Sequence, residues 1–214
     1  MTPRVGICDY GVGNLRSVER ALRVSGAEPV ISGDPDVIAG CDGVVLPGVG
    51  AFAIAARALQ ETGLGSAVRD LALREHPVLG VCLGHQLLFE GSDEGHGGEG
   101  LALLPGRVVR LPIEQGLKVP HMGWNTIDIV RDSALLDGVA SDAYMYFVHS
   151  YAAVPATADT IATTEYGDTL AAAVERATVM GTQFHPEKSG ASGLRVYANF
   201  VARCAAPVPA RLTG

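Results

Sequence analysis

The chain has 214 residues, enough for one substantial core and too few for two ordinary domains. Hydrophobic residues make up 48% of it, which excludes bulk disorder, and a formal charge of −7 argues against a general nucleic-acid or anionic-membrane surface. No stretch approaches the roughly 20 apolar residues that span a bilayer. No N-terminal run resembles a secretion signal, because only a few apolar residues separate Arg4 from Asp9. Cys8, Cys41, Cys82 and Cys204 are widely spaced and form no C-x-x-C pair, so neither a disulfide framework nor a zinc finger is expected. A cytoplasmic protein with reduced thiols is the simplest expectation.

Along the chain, Arg4 to Tyr10 reads as a short apolar strand, followed by the turn Gly11-Val12-Gly13-Asn14. Leu15, Val18 and Leu22 then recur three and four apart on one helix face, and Gly26 supplies a stop. Val30-Ile31 and Gly43 to Leu46 read as the next strands. After Pro47-Gly48-Val49-Gly50, an Ala-rich helix runs to about Gln60 and another passes through Leu64, Val68, Leu71 and Leu73. Pro77 ends it, Val78 to Val81 is a fully buried strand, and a helix begins at Leu83. This alternation predicts an α/β fold with a mostly parallel sheet covered on both faces.

Gly91 to Gly100 is a polar, Gly-rich loop, after which the pattern becomes β-rich. Strands are predicted at Arg107 to Leu111, Thr126 to Val130, Tyr144 to Tyr151, Thr160 to Thr164, Ala171 to Val174 and Val179 to Phe184. Gly193 to Arg203 forms a last helix. With no repeat or linker, residues 1–204 are read as one domain and 205–214, with Pro207 and Pro209, as a loose tail.

Gly80-Val81-Cys82-Leu83-Gly84 places a cysteine at the centre of a G-x-nucleophile-x-G turn, between a predicted strand and a predicted helix. The glycines permit a sharp turn, the helix N-terminus favours the thiolate, and backbone N–H groups there, Leu83 among them, can face an oxyanion. Taken alone, the motif fits a buried structural cysteine equally well. The second half is Gln183-Phe184-His185-Pro186-Glu187, after another apolar strand. In extended backbone, positions two apart share a side, so Glu187 could hold one His185 nitrogen while the other takes the thiol proton. An isolated H-P-E would more simply be a surface turn with a solvated Glu187.

Together, the cysteine turn and the later H-x-E resemble the class I (triad) glutamine amidotransferases over roughly Arg4 to Arg203. The resemblance implies a flavodoxin-like fold in which Cys82 forms a γ-glutamyl thioester, His185 acts as base then acid, and Glu187 orients it. Asp9 to Leu15, Pro47 to Phe52, Pro120-His121-Met122-Gly123-Trp124-Asn125 and His185-Pro186-Glu187-Lys188-Ser189 occur in the order seen in one branch. That branch is the family of glutaminase subunits of imidazole glycerol phosphate synthase, in histidine biosynthesis. It implies a heterodimer with a (β/α)8-barrel cyclase subunit that consumes the ammonia, and no cofactor.

The same resemblance favours an oxyanion role for Gly48, Val49 and Gly50, where glycine also permits a peptide flip. Gln86, four residues after Cys82 on one helix face, is placed to bind the substrate amino acid, and Glu94 to pair with its ammonium. His149-Ser150-Tyr151 resembles the segment whose backbone holds the substrate glutamine. Asn14, Trp124 and Lys188 are implied to face the cyclase mouth, Trp124 sitting on a Gly-rich loop either as core or as an interface anchor. The histidines have no metal-ligand spacing; His76 reads as a helix-end residue, His85 and His96 as solvated, and His121 and His149 as core or interface. Gly11-Val12-Gly13 is not a dinucleotide fingerprint. Another class I glutaminase subunit, a stand-alone cysteine hydrolase and a non-catalytic binding module are the competing readings.

Overall fold

The computed structural model describes residues 2–112 and 117–206. Its first half alternates strand and helix, because short β-branched runs are punctuated by glycine and followed by amphipathic segments. These are β1 (Arg4–Cys8), α1 (Leu15–Val24), β2 (Glu28–Ser32), α2 (Pro35–Ala39), β3 (Gly43–Leu46), α3 (Phe52–Glu61), α4 (Leu64–Leu73), β4 (Val78–Val81) and α5 (Leu83–Leu87). Of these, α2 was not predicted, although its signal was present: Asp34 accepts a hydrogen bond from the Asp36 N–H at 2.9 Å and Pro35 occupies the first turn.

The second half continues with β5 (Gly91–Ser92), β6 (Gly98–Glu99), β7 (Gly106–Arg110), β8 (His121–Thr126), β9 (Asp128–Ile129), β10 (Tyr144–His149) and β11 (Tyr151–Pro155). It closes with β12 (Thr160–Glu165), β13 (Thr169–Arg176), β14 (Val179–Thr182) and α6 (Gly190–Ala205). The expected loop at 91–100 carries the small β5–β6 pair. Helix α6 runs to Ala205, one residue into the stretch expected as a tail; residues 207–214 lie outside the described residues.

Eight strands form the central sheet in the order β2-β1-β3-β4-β14-β13-β12-β9. From β2 to β14 neighbours are parallel, and beyond β14 they are antiparallel. Side chains alternate across this sheet and fill two cores. Val5, Ile7, Val45, Leu79 and Val81 pack under α1 and α6, against Leu22, Val196 and Phe200. Cys8, Val44, Leu46 and Val78 pack under α3 to α5, against Phe52, Leu59, Leu64 and Leu88.

Two smaller sheets lie beside it, β10-β8 and β11-β7-β5-β6. The predicted strand from Tyr144 to Tyr151 is therefore two strands: the chain leaves one sheet after His149 and enters the other at Tyr151. Likewise Thr126 to Val130 is not one strand, and the Gly-rich loop assigned to Trp124 is the strand β8.

The tightest packing is where α5 leaves β4. A Cβ at Gly80 would lie 2.6–2.7 Å from backbone atoms of Gly84 and His85, and one at Gly84 would collide with the Leu46 carbonyl. Backbone cannot rotate away as a side chain can. Gly84→Ala is expected to destabilise the fold by about 3 kcal/mol or more; urea unfolding within about 1 kcal/mol of wild type would contradict this packing.

Candidate active site

Cys82 sits between β4 and α5 with φ 54° and ψ −108°, a conformation that non-glycine residues rarely adopt. The turn is fixed on both sides: the Cys82 N–H donates to the Thr182 carbonyl at 2.8 Å, and the Gln86 N–H donates to the Cys82 carbonyl at 3.1 Å. Its Sγ lies 3.8 Å from the Val148 carbonyl and from Gln183 Nε2. Gln183 was not singled out from sequence, yet it is buried against the nucleophile and also accepts from Gln86 Nε2 at 3.0 Å.

Register brings the second half here, since β14 lies parallel to β4 with Thr182 beside Val81. His185 follows three residues later, its N–H held by the Tyr146 carbonyl at 2.9 Å. Glu187 Oε1 lies 2.7 Å from His185 Nδ1, and both side chains are at most 3% exposed. The reach is not made in extended backbone, as expected from spacing, but through a 3-10 turn at Pro186–Lys188. Ser189 braces that turn: its hydroxyl donates to the His185 carbonyl at 2.6 Å and accepts from the Tyr146 N–H at 3.0 Å.

Burial alone would push the His185 pKa down; its interactions with the Cys82 thiol and the Glu187 carboxylate outweigh that and lift it to about 9. His185 Nε2 has no hydrogen-bond partner of ordinary geometry among the described residues, which leaves that nitrogen free for chemistry. Beneath the pair lies Tyr197, also missed from sequence. Its hydroxyl is fully buried, and burial first, then Glu187, raise its pKa well above the usual phenol value. Helix α6 approaches closely here because Gly193 has no Cβ to strike the Pro186 carbonyl.

The turn after β3 closes the opposite wall. The Tyr10 hydroxyl donates to the Pro47 carbonyl, and a Cβ at Gly48 would meet that hydroxyl at 2.8 Å and Leu83 Cβ at 2.9 Å. The Leu83 N–H, an expected oxyanion donor, points to the Gly48 carbonyl at 3.4 Å. Gly50 has φ +108° and open space around it. A cleft of about 320 Å³ opens above Cys82, lined by Val49, Gly50, Leu83, Gln86, Glu94, Pro120 and Val148 to Tyr151. A larger cleft of about 730 Å³, by Asp132 and Asn199, is lined by neither Cys82 nor His185.

Most expected binding residues therefore border one cavity. Gln86 is buried rather than solvated, and its Nε2 donates to the Tyr151 carbonyl at 2.9 Å. Glu94 uses one oxygen on the Phe52 N–H at 2.7 Å. His85, expected to be solvated, is fully buried beside Gly181, and burial, then His149, lowers its pKa to about 3. Both glycines around Cys82 sink the helix into the sheet, which buries a position expected at the surface.

Of the residues expected at an interface, Trp124 is 56% exposed and meets Tyr146 edge-on at 6.0 Å, while Lys188 Nζ lies 5.5 Å over the same Tyr146 ring. Asn14 is exposed at the start of α1, and its side chain does not cap the helix. No direct contact joins it to Trp124 among those the structure shows, although α1 packs on the turn that carries Lys188.

A family model described as glutamine amidotransferase class-I matches residues 7–204. An imidazole glycerol phosphate synthase subunit HisH from Methanosarcina mazei is 48% identical over 203 residues, covering 94% of this chain and 99% of its own. One from Moorella thermoacetica is 50% identical over 197 residues, covering 92% and 93%. A solved glutamine amidotransferase superposes with a TM-score of 0.74 at 18% identity over 94% of this chain and 99% of its own, a likeness of fold. The chain belongs to the class I glutamine amidotransferases, and within them to the family of HisH subunits of imidazole glycerol phosphate synthase.

Proposed function

We propose that the chain is a glutaminase subunit that hydrolyses L-glutamine to L-glutamate and ammonia through Cys82, His185 and Glu187, within one domain spanning residues 1–204. The observation that carries this reading is the polarity of the His185 ring. A carboxylate only accepts, so Glu187 at 2.7 Å keeps the proton on Nδ1. Nε2 is then the nitrogen turned to the Cys82 thiol, with no other hydrogen-bond partner among the described residues. With the His185 pKa lifted to about 9 the ring is charged at neutral pH, so Nε2 holds a proton drawn from the Cys82 thiol, Sγ attacks the amide carbon as thiolate, and that proton passes to the leaving nitrogen as ammonia departs. Water then attacks the thioester with the roles reversed.

Stabilising the tetrahedral oxygen requires backbone donors, and in the resting turn the Gly48 carbonyl engages one of them, the Leu83 N–H. Gly48 and Gly50 lack the side chains that would resist rotation of that turn, and Val49 is 42% exposed at its tip. Glutamine would bind between Gln86, Glu94 and the backbone of His149, Ser150 and Tyr151.

The named relatives are subunits of a synthase. We extend this to a cytoplasmic heterodimer with a (β/α)8-barrel cyclase subunit, which uses the ammonia to make imidazole glycerol phosphate and an aminoimidazole carboxamide ribotide in histidine biosynthesis. The exposed aromatic face of Trp124 and Tyr146 with Lys188, and the exposed Asn14, suit that role.

In the assembled complex supplied with glutamine and the ribotide, Cys82→Ala should release no glutamate, while ammonium salts still support the cyclase. Glutamate release at the wild-type rate would sink the mechanism. Trp124→Ala should lower the yield of cyclised product per glutamine hydrolysed; unchanged yield and unchanged complex affinity would count against the interface.

Because the folded His185 pKa of about 9 exceeds the ordinary value of 6.5, its contribution to stability is complete below about pH 6.5 and is lost as pH rises through 9. Glu187→Gln should therefore cost more stability at pH 6 than at pH 9.5 in urea titrations. An equal loss at both would show that the carboxylate does not charge the ring.

A further inference from the structure

The stretch Pro120 to Asn125 has no place in the triad, yet its strand β8 carries polar side chains inward. In β8, His121, Gly123 and Asn125 face one side while Met122 and Trp124 face outward. The inward side chains form one connected chain. The Tyr151 carbonyl, at the cleft, accepts from Gln86 Nε2 at 2.9 Å and pairs with His149 Nδ1 at 2.9 Å. His149 Nε2 lies 3.0 Å from His121 Nδ1, and His121 Nε2 lies 3.3 Å from Asn125 Nδ2.

Each proton in this chain has one consistent place. A carbonyl only accepts, so His149 carries its proton on Nδ1 and, when neutral, accepts at Nε2. His121 must then donate from Nδ1 and accept at Nε2. Asn125 Oδ1 accepts from the Thr126 N–H at 2.9 Å, which orients the amide with Nδ2 toward His121. The same Nδ2 is anchored on the Glu165 carbonyl at 2.9 Å. Burial holds both rings neutral, lowering each pKa to about 4. His121 is further held by stacking on Phe147, at 4.8 Å, and on Tyr166, at 3.9 Å.

Resting on the glutaminase reading above, we propose that His121 and Asn125 are positioning residues for the glutamine pocket, fixing the Tyr151 carbonyl and Gln86 through His149 by a one-directional hydrogen-bond chain. The chain sits where the backbone changes sheets between β10 and β11, at Ser150, and where no continuous ladder holds both sides. His149 itself offers the substrate no free ring nitrogen, since both are spent within the protein. Its role is to hold backbone.

Two measurements test this. In long-range ¹⁵N–¹H spectra of the intact chain at pH 7, His121 and His149 should both be neutral Nδ1–H tautomers; an Nε2–H tautomer or an imidazolium at either ring overturns the chain. In the cyclase complex, His121→Phe keeps a flat ring for stacking but removes the donor. It should raise KM for glutamine about tenfold, the scale of one buried hydrogen bond, with kcat within about threefold. His121→Asn, whose amide can still donate toward His149, should keep KM within about threefold of wild type. A His121→Phe KM unchanged from wild type, or equal damage in both variants, rejects positioning by the hydrogen bond. Absence of any glutamate release by the wild-type complex would instead reject the glutaminase reading, and the tautomer spectra would still decide the chain.

Discussion

The site depends on one backbone constraint: the chain must turn from β4 into α5 within a single residue, and that residue is Cys82 at positive φ. Such a conformation costs on the order of 1–3 kcal/mol for a residue with a Cβ, so the surroundings must over-determine it. They do so by steric exclusion. Gly80 and Gly84 let α5 sink until its first turn touches β4 and the Leu46 carbonyl, leaving no room for a gentler turn. The strain fixes the thiol at the helix N-terminus, at the carboxyl edge of the parallel strands.

From that point the sheet order does the assembling. β14 enters beside β4 in parallel register, so a residue about a hundred positions away in sequence arrives next to Cys82. The chain does not end its work at the edge of β14: the Pro186–Lys188 turn folds Glu187 back under His185, and α6 packs on it through Gly193 and Tyr197. An ionisable pair is tolerated in so dry a place because His185 Nδ1 and Glu187 Oε1 pair directly, while Glu187 Oε2 and His185 Nε2 have no hydrogen-bond partner of ordinary geometry among the described residues. The raised His185 pKa is the electrostatic record of that arrangement.

Sequence made the parallel half of the fold legible because its strands are continuously apolar and its helices amphipathic; β3 and β4 have the bounds that composition suggested. The cysteine and the H-P-E stretch were legible for a different reason, since glycine and proline mark backbone geometry directly. What periodicity could not give were contacts that depend on partners distant in sequence. Gln183 and Tyr197 look like ordinary polar and aromatic positions until β14 and α6 are docked against Cys82 and Glu187. His85 looked solvated because nothing local reveals that Gly181, on another strand, leaves a space for its ring.

Strand β8 shows the deeper reason for such misses. Its two faces do alternate, but neither face alternates in hydrophobicity in the expected sense: the outward face carries Met122 and Trp124, and the inward face carries His121 and Asn125. A polar inward face is stable only if every donor finds an acceptor, and an unmade bond there costs more than an unmade apolar contact. Hydrogen-bond complementarity has direction but no period, so it leaves no signature for a pattern search. The inversion also explains why the strand can serve two ends at once. Its apolar atoms are left outside, available to another surface, while its polar atoms bind the switch point at Ser150 from within. A conventional strand, apolar inward, would hold the sheet equally well and could do neither.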